Sequence, residues 1–397
     1  MKTSLLSERA QNALPSPTLG ITARIKALQA QGVNVIGFGA GEPDFDTPEH
    51  VKAAAIRSLQ SGFTKYTPSS GIEALKDAII AKLERDQGLR YRRSQIIVSC
   101  GAKHSIYNLL QAVLNPGDEV IIPRPYWVSY PEQVKLAGGV PIFADAPEEN
   151  GFQVTAAAIE AAITPRTRLV ILNSPSNPTG AMISAEELAR IATLVARRNL
   201  LVLSDEIYEH LTYGVAHVSI ASFGEEIKQR TLVVNGFSKA YSMTGWRLGY
   251  LAGDEKIVAA MGRIQDQSTS NPVSFAQVGA VEALNGDQTC VEEMRAAFQE
   301  RRDVIMARLN AMPGISCLRP DGAFYVFPNV SGLLSSRIPD GDVLAECLLT
   351  EAYIGVVPGS GFGAPRHIRL SYATSIKAIQ EGMDRLQKAA ERLVNER

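Results

Sequence analysis

Two hydrophobic patterns alternate along this chain. Short apolar runs occur at Gln95–Ser99, Glu119–Ile122, Arg168–Leu172, Leu200–Leu203 and Thr231–Val234. They are too short for helices and rich in Ile, Val and Leu, as strands buried on both faces are. Between them lie stretches with apolar residues at helical spacing: 49–61, opened by Pro48 and ended by Gly62, roughly 72–86, His104–Leu114 and Glu186–Arg198. Proline suits the first turn of a helix and glycine its end. Strands alternating with helices predict an α/β fold, a mostly parallel sheet with helices on both faces. In such sheets ligands bind outside the carboxyl ends of the strands.

Those strand ends carry Gly101-Ala102-Lys103, Tyr126-Trp127, Asn177, Asp205 with Tyr208, and Ser238-Lys239. All are polar, aromatic or glycine-rich, and five in series mark a candidate site. Beyond about residue 290 the pattern changes. Val291–Leu309 reads as a long amphipathic helix, Gly322–Phe327 as strand-like, Gly355–Pro365 as a glycine-rich loop and 375–397 as a helix. In His367–Tyr372, Ile368, Leu370 and Tyr372 share one face and Arg369 and Ser371 the other. This predicts a smaller α+β domain, completed by an N-terminal arm. In the arm Pro15 and Pro17 break the first part, and Ile21, Ile25 and Leu28 form a rough helical stripe. The expected division is 1–48 for the arm and part of the small domain, 49–290 for the large domain and 291–397 for the small one.

Length and charge narrow the classes. With 397 residues, 40 Lys+Arg and 41 Asp+Glu, the net charge of −1 gives no support for nucleic-acid or membrane-surface binding. No apolar run reaches the ~18 residues of a membrane span, and the apolar stretch at the N-terminus is too short for a secretory signal. Four scattered cysteines read as reduced thiols of a cytoplasmic protein, and the five histidines show no metal-ligand spacing, so no metal is expected. Alternating glycines in Gly37-Phe-Gly-Ala-Gly-Glu-Pro43 do not form a dinucleotide loop, because Pro43 and Asp44 stand where a helix should open. Close approach of backbone to a small ligand is the better use of them.

The densest chemistry lies in Asn235–Gly249, which follows the buried run Thr231–Val234. Lys239 sits just past the strand end, and Arg247 eight residues on in a turn bracketed by Gly245 and Gly249. A lysine held in the interior tends to lose its proton, and its neutral amine attacks carbonyls. An arginine fork suits a phosphate. An aldehyde for the lysine and a phosphate for the arginine together suggest pyridoxal phosphate. Lys239 alone reads more readily as a solvated loop lysine; the Ser-Lys-x(7)-Arg spacing after a buried strand favours the chemistry. Asp205, after Leu200–Leu203 and Ser204, is suited to the cofactor's pyridinium nitrogen. Tyr208 and Asn177 can reach its ring oxygen. Gly101 and Ala102 at a helix start, with Ser238 and Arg247, can form a phosphate cup, and Trp127 can stack on the ring. Arg369 suits a substrate carboxylate. For a second, distal carboxylate the helix after Gly101 offers Lys103 as its cation, Lys65 lies beside Tyr66, and Ser16 and Thr18 of the arm could close over the site as hydroxyl donors.

The stretches Ser-Lys-Ala-Tyr-Ser-Met-Thr-Gly-Trp-Arg-Leu-Gly, Asn-Ser-Pro-Ser-Asn-Pro-Thr-Gly and Ser-Asp-Glu-Ile-Tyr resemble class I pyridoxal-phosphate aminotransferases of fold type I. Gly-Glu-Pro-Asp-Phe-Asp-Thr-Pro, Pro-Tyr-Trp-Val-Ser-Tyr-Pro-Glu and Arg-Leu-Ser-Tyr-Ala are similar to the bacterial and plastid-type aspartate aminotransferases. The resemblance runs from about Gly20 to the C-terminus. It implies Lys239 as the Schiff-base lysine, Asp205 at the pyridinium, and Asn177 and Tyr208 at the ring oxygen. It places Arg247, Ser238, Gly101 and Ala102 at the phosphate, and Gly41, Trp127, Asn177 and Arg369 along the substrate. It further implies a homodimer in which Tyr66 reaches the partner subunit's phosphate. Many relatives carry glycine or serine where Ala102 stands, which leaves the backbone to donate there. The implied activity is ping-pong transamination between aspartate and 2-oxoglutarate. A prephenate or aromatic aminotransferase, or a pyridoxal-phosphate lyase on the same fold, are the alternatives.

Overall fold

The computed structural model describes residues 5–396; the first four residues of the expected arm lie outside it. The apolar runs form one seven-stranded sheet of β1 (Ile96–Ser99), β2 (Glu119–Arg124), β3 (Val140–Asp145), β4 (Thr167–Asn173), β5 (Leu201–Asp205), β6 (Thr231–Gly236) and β7 (Gly249–Ala252). Their order is β1–β7–β6–β5–β4–β2–β3. All neighbouring pairs are parallel except those of β7, which runs antiparallel to β1 and β6. The mostly parallel α/β sheet expected from the sequence is therefore present, with β3 and β7 added. β3 holds Pro141 and exposes Val140 and Phe143, a composition that fits an edge. β7 is four residues hidden behind the glycines of the Arg247 turn.

Both faces of the sheet are covered. The helix Ala185–Arg198 is capped by Ser184, whose hydroxyl accepts from the Glu187 N–H, and ends at Asn199 in the left-handed conformation (φ 56°). Its stripe of Leu188, Ile191, Leu194 and Val195 packs with Val170 and Val202 of the sheet. On the other face Ile106, Leu109 and Leu110 of the helix Ala102–Val113 pack with Ile97, Leu203 and Val234.

The C-terminal third builds a second layer. Val357–Pro358, Ile368–Ser371 and Tyr325–Val326 form a three-stranded antiparallel sheet. The helices Thr289–Leu309, Gly341–Glu351 and Ile376–Asn395 share one core with it, including Phe298, Leu344, Leu370 and Leu386. The strand expected over Gly322–Phe327 is only two residues long, and Ala323 just before it is left-handed (φ 59°). Part of the expected glycine-rich loop is strand. Near the N-terminus, Pro17 begins the helix Pro17–Ala30 under a Ser16 cap rather than breaking it, as proline at a first helical position does. Ile21 and Ile25 bury against Val128, Phe327 and Val357. Ile36–Gly37 then pairs in parallel with Ile354–Gly355. Among the described residues no helix is long and apolar enough to cross a membrane.

Candidate active site

Register explains how distant residues meet. Asn173 is opposite Asp205, and Asp205 opposite Val234, so β4, β5 and β6 end side by side and release 174–177, 206–208 and 237–239 at one place. Antiparallel β7 sets Gly249 against Ser99, which delivers Arg247 to Gly101. Gly101 has φ 96°, a conformation that favours glycine, and a Cβ there would lie 2.6 Å from Arg247 Nη2 and push the end of that side chain aside. A Cβ on Gly249 would collide with the Ala102 backbone.

A cavity of about 370 Å³ opens at these ends. Gly41, Ala102, Lys103, Trp127, Asn177, Asp205, Tyr208, Ser238, Lys239, Arg247 and Arg369 line it. Ser16 and Thr18 of the N-terminal segment line it too. Gly101 caps the helix Ala102–Val113 at its rim. Tyr66 does not line it and is 89 % exposed.

Lys239 Nζ donates to the Gly41 carbonyl. Burial lowers its pKa to about 8, helped by the charges of Arg369 and Arg247 and opposed by Glu42 and Asp205. Asp205 is 4 % exposed. Burial raises its pKa to about 6, against hydrogen bonds from Tyr130 Oη (2.7 Å) and the Ile207 N–H (3.3 Å). Tyr208 Oη pairs with Tyr325 Oη at 2.8 Å, and burial first, then Tyr325, holds it protonated well above the ordinary phenol range. Arg369 is 1 % exposed. Its Nη1 donates to Asn177 Oδ1 and its Nη2 to the Gly39 carbonyl, both at 2.9 Å, while Nε has no partner. Its guanidinium lies over the Tyr325 ring, 4.5 Å from the centroid. Arg247, left-handed at φ 52°, donates to the carbonyls of Thr244 (2.8 Å) and Cys100 (3.4 Å). Lys103 Nζ stands 4.8 Å from the Trp127 ring centroid, its pKa lowered by burial and then by Arg247.

Three residues of this arrangement escaped the sequence reading. Tyr130 holds Asp205, Tyr325 joins Tyr208 to Arg369, and Asn173 accepts from the Asn177 N–H (2.9 Å). Tyr130 belongs to a quoted motif, and Asn173 immediately ends a predicted strand, so both carried a signal. Tyr325 sat in an aromatic run that read as core.

The donor set is ordered by charge. One end offers the Ser238 hydroxyl, the Arg247 guanidinium and the start of the Ala102–Val113 helix, a combination suited to a phosphate. The other end holds a carboxylate, and between them sits a lysine amine of lowered pKa. The cavity of about 370 Å³, with the half-buried Trp127 in its wall, leaves space for a flat ring. These residues fit pyridoxal phosphate.

An α/β scaffold with this ordered constellation defines an enzyme acting on amines through a carbonyl group. The chain belongs to the class I and II aminotransferase family, whose pattern it matches over residues 33–386. An aspartate aminotransferase from Bacillus sp. (strain YM-2) is 53 % identical over 386 residues, covering 97 % of this chain and 98 % of the relative. An aspartate/prephenate aminotransferase from Cereibacter sphaeroides is 47 % identical over 392 residues, 97 % of this chain and 98 % of that one. Among solved structures, the Thermus thermophilus aspartate aminotransferase with maleate superposes with a TM-score of 0.93 at 43 % identity, covering 97 % and 100 % of the two chains.

Proposed function

We propose that this protein is a pyridoxal-phosphate-dependent aminotransferase that moves an amino group between aspartate and 2-oxoglutarate, in the cytoplasm and as a homodimer. The observation that carries the reading is Lys239: a buried amine with pKa near 8, set between an anion cup and a buried carboxylate. When bound, pyridoxal phosphate supplies an aldehyde that condenses with amines and an electron-poor ring that accepts negative charge. Arg247, Ser238 and the backbone at Gly101 and Ala102 would hold its phosphate, Asp205 its ring nitrogen, and Tyr208 and Asn177 its ring oxygen. Trp127 would cover the ring.

The chain's own groups supply the rest. Lys239, whose burial favours the neutral amine, can take a proton from the substrate's Cα and return one nearby. Arg369 grips the α-carboxylate with two parallel bonds, its stacking on Tyr325 fixing the plane of the fork. A distal carboxylate would meet Lys103, with Ser16 and Thr18 closing from the N-terminal segment. Thr18 Oγ1 is buried and without a partner, so it is free to serve. The maleate in the Thermus structure is a dicarboxylate, which supports this substrate class. Tyr66, exposed in the single chain, would serve the partner subunit's phosphate.

The relative named aspartate/prephenate aminotransferase favours one second reading, a prephenate acceptor, whose extra carboxylate would use the same distal donors. Borohydride reduction of the protein with pyridoxal phosphate, followed by peptide mass spectrometry, tests the assignment. The label should fall on the Lys239 peptide and vanish in Lys239→Ala, with loss of turnover. A label elsewhere, or normal transamination by that variant, sinks the reading. A panel of donors and acceptors then separates aspartate with 2-oxoglutarate from prephenate.

A further inference from the structure

The end of β5 and the turn after it serve two buried clusters at once. Asp205, Ile207 and Tyr208 line the cavity. Ser204, Glu206 and Glu209 instead join a second cluster, against the helix Glu73–Gln87. Glu206, 1 % exposed, accepts from Ser204 Oγ (2.9 Å), Ser219 Oγ (2.6 Å), Gln87 Nε2 (3.0 Å) and, at 3.2 Å, meets His217 Nε2. Glu209 accepts from Lys82 Nζ, Gln87 Nε2 and Asn235 Nδ2. Glu206, Glu209 and His217 offer ligand atoms within 4.8 Å of one another, but Lys82, 2 % exposed, already places its ammonium on Glu209. Burial disfavours the Glu209 charge, yet Lys82 and the neighbouring histidines outweigh it and hold the carboxyl down at about 2.

Asn235 continues the connection. Its Oδ1 accepts from the Gly236 N–H at 2.7 Å, three residues before Lys239. On the other side, the Glu206 N–H donates to the Val234 carbonyl (2.9 Å) and the Glu209 N–H to the Glu206 carbonyl (2.9 Å). A continuous polar path thus runs from a helix to both loops of the site. Buried ion pairs of this kind add little stability over an apolar replacement of the same volume, so stability does not account for the pair. Geometry does, because a shift of about 1 Å between reacting groups can lower a rate by about a hundredfold.

We infer that Lys82, Glu209 and Asn235 are positioning residues, locking the turn that carries Asp205 and Tyr208 to the strand end that carries Lys239. The inference rests on the site assignment above. Two variants test it in the pyridoxal-phosphate-loaded enzyme. Asn235→Ala cuts the link to β6 and leaves the Lys82–Glu209 pair intact. The double variant Lys82→Met/Glu209→Met removes the pair and leaves no charge within it; Asp86, which Lys82 also meets at 3.6 Å, keeps its pair with Arg85. The readouts are kcat and KM for aspartate, and visible-range circular dichroism per bound cofactor, which reports how the chromophore is held. Both variants should fold and bind cofactor with KM nearly unchanged. Their kcat should fall about 10–100-fold, and the visible dichroic band should shrink or shift. A wild-type band and kcat in either folded variant would overturn the inference, as would a kcat that merely follows the folded fraction. If wild-type protein itself gives no visible band, the site assignment fails first and this inference with it.

Discussion

Asp205→Asn should make the cofactor-free protein more stable while leaving the loaded enzyme nearly inert. Asp205 lies at the carboxyl end of β5 with one hydrogen bond from Tyr130 and one from the Ile207 N–H. Burial outweighs both and raises its carboxyl from 3.8 to about 6. Such a group holds its proton more tightly folded than unfolded. Its contribution to stability is present in full below the unfolded value and is lost as pH rises from 3.8 towards 6. At about 1.36 kcal/mol per tenfold in proton affinity, the loss is about 3 kcal/mol above pH 7 and about 1 kcal/mol at pH 4.5.

Asparagine keeps the shape and can still accept from Tyr130. Its amide nitrogen cannot accept from the Ile207 N–H, which offsets part of the gain, so about 1–3 kcal/mol should remain at pH 8. Thermal unfolding of cofactor-free wild type and variant between pH 4.5 and 8 reads this directly. Tm should rise by roughly 1–4 °C at pH 8, with the difference closing towards pH 4.5. With cofactor, kcat should fall by about a hundredfold to a thousandfold or more, because the charge facing the ring is gone. A variant no more stable than wild type at every pH would refute the burial argument. Near-normal kcat would mean that another group holds the ring nitrogen.

Three further outcomes follow from the same contacts. Tyr130→Phe removes a 2.7 Å bond to Asp205, so the Asp205 carboxyl should titrate higher still; kcat should drop and its acid limb should move to higher pH, read from a pH profile. Arg369→Lys replaces a two-pronged fork by a point charge, and kcat/KM for aspartate should fall about a hundredfold, chiefly through KM in steady-state assays. Sedimentation should show a dimer, and Tyr66→Phe should weaken pyridoxal-phosphate affinity, measured by equilibrium dialysis, without dissociating it; an active monomer would count against this.

The strands that bear the site are legible because they are buried on both faces and so read as continuous apolar runs. Lys239, Asp205 and Asn177 come just after such runs, where the strand-end rule directs attention. β7 is not legible in the same way. Its Gly-Tyr-Leu-Ala follows a glycine turn, and its antiparallel course is set by pairing with β1 across about 150 residues of chain. Yet that pairing is what brings Arg247 to Gly101. Tyr130 lies in a quoted motif, but nothing local assigns its hydroxyl a partner, and Tyr325 belongs to an aromatic run that reads as core. Their hydroxyl partners, Asp205 and Tyr208, lie 75 and 117 residues away, so only the tertiary fold shows what each hydroxyl holds. Ser16 and Thr18 of the arm are legible as hydroxyl donors that could close over the site, but the docked helix Pro17–Ala30 that carries them to the cavity is not, because Pro17 reads as a break.

The segment Ser204–Glu209 carries two opposite solutions to buried charge, divided by which way successive side chains turn. Towards the helix Glu73–Gln87, Glu209 meets Lys82 and Asn235, and its carboxyl is driven down to about 2. Towards the cavity, Asp205 is driven up to about 6 and Lys239 down to about 8. Each of these is shifted in the direction that disfavours its own charge. The first cluster pairs its carboxylates, Glu209 with Lys82 and Glu206 with its hydroxyl and amide donors, so it can act as a mount. The second would be completed by a ligand that brings a cation to Asp205 and anions to Arg247 and Arg369. A mount that holds both loops, as inferred above, would keep Asp205 and Lys239 from pairing more closely, so that binding of oppositely charged groups is favoured over relaxation of the site.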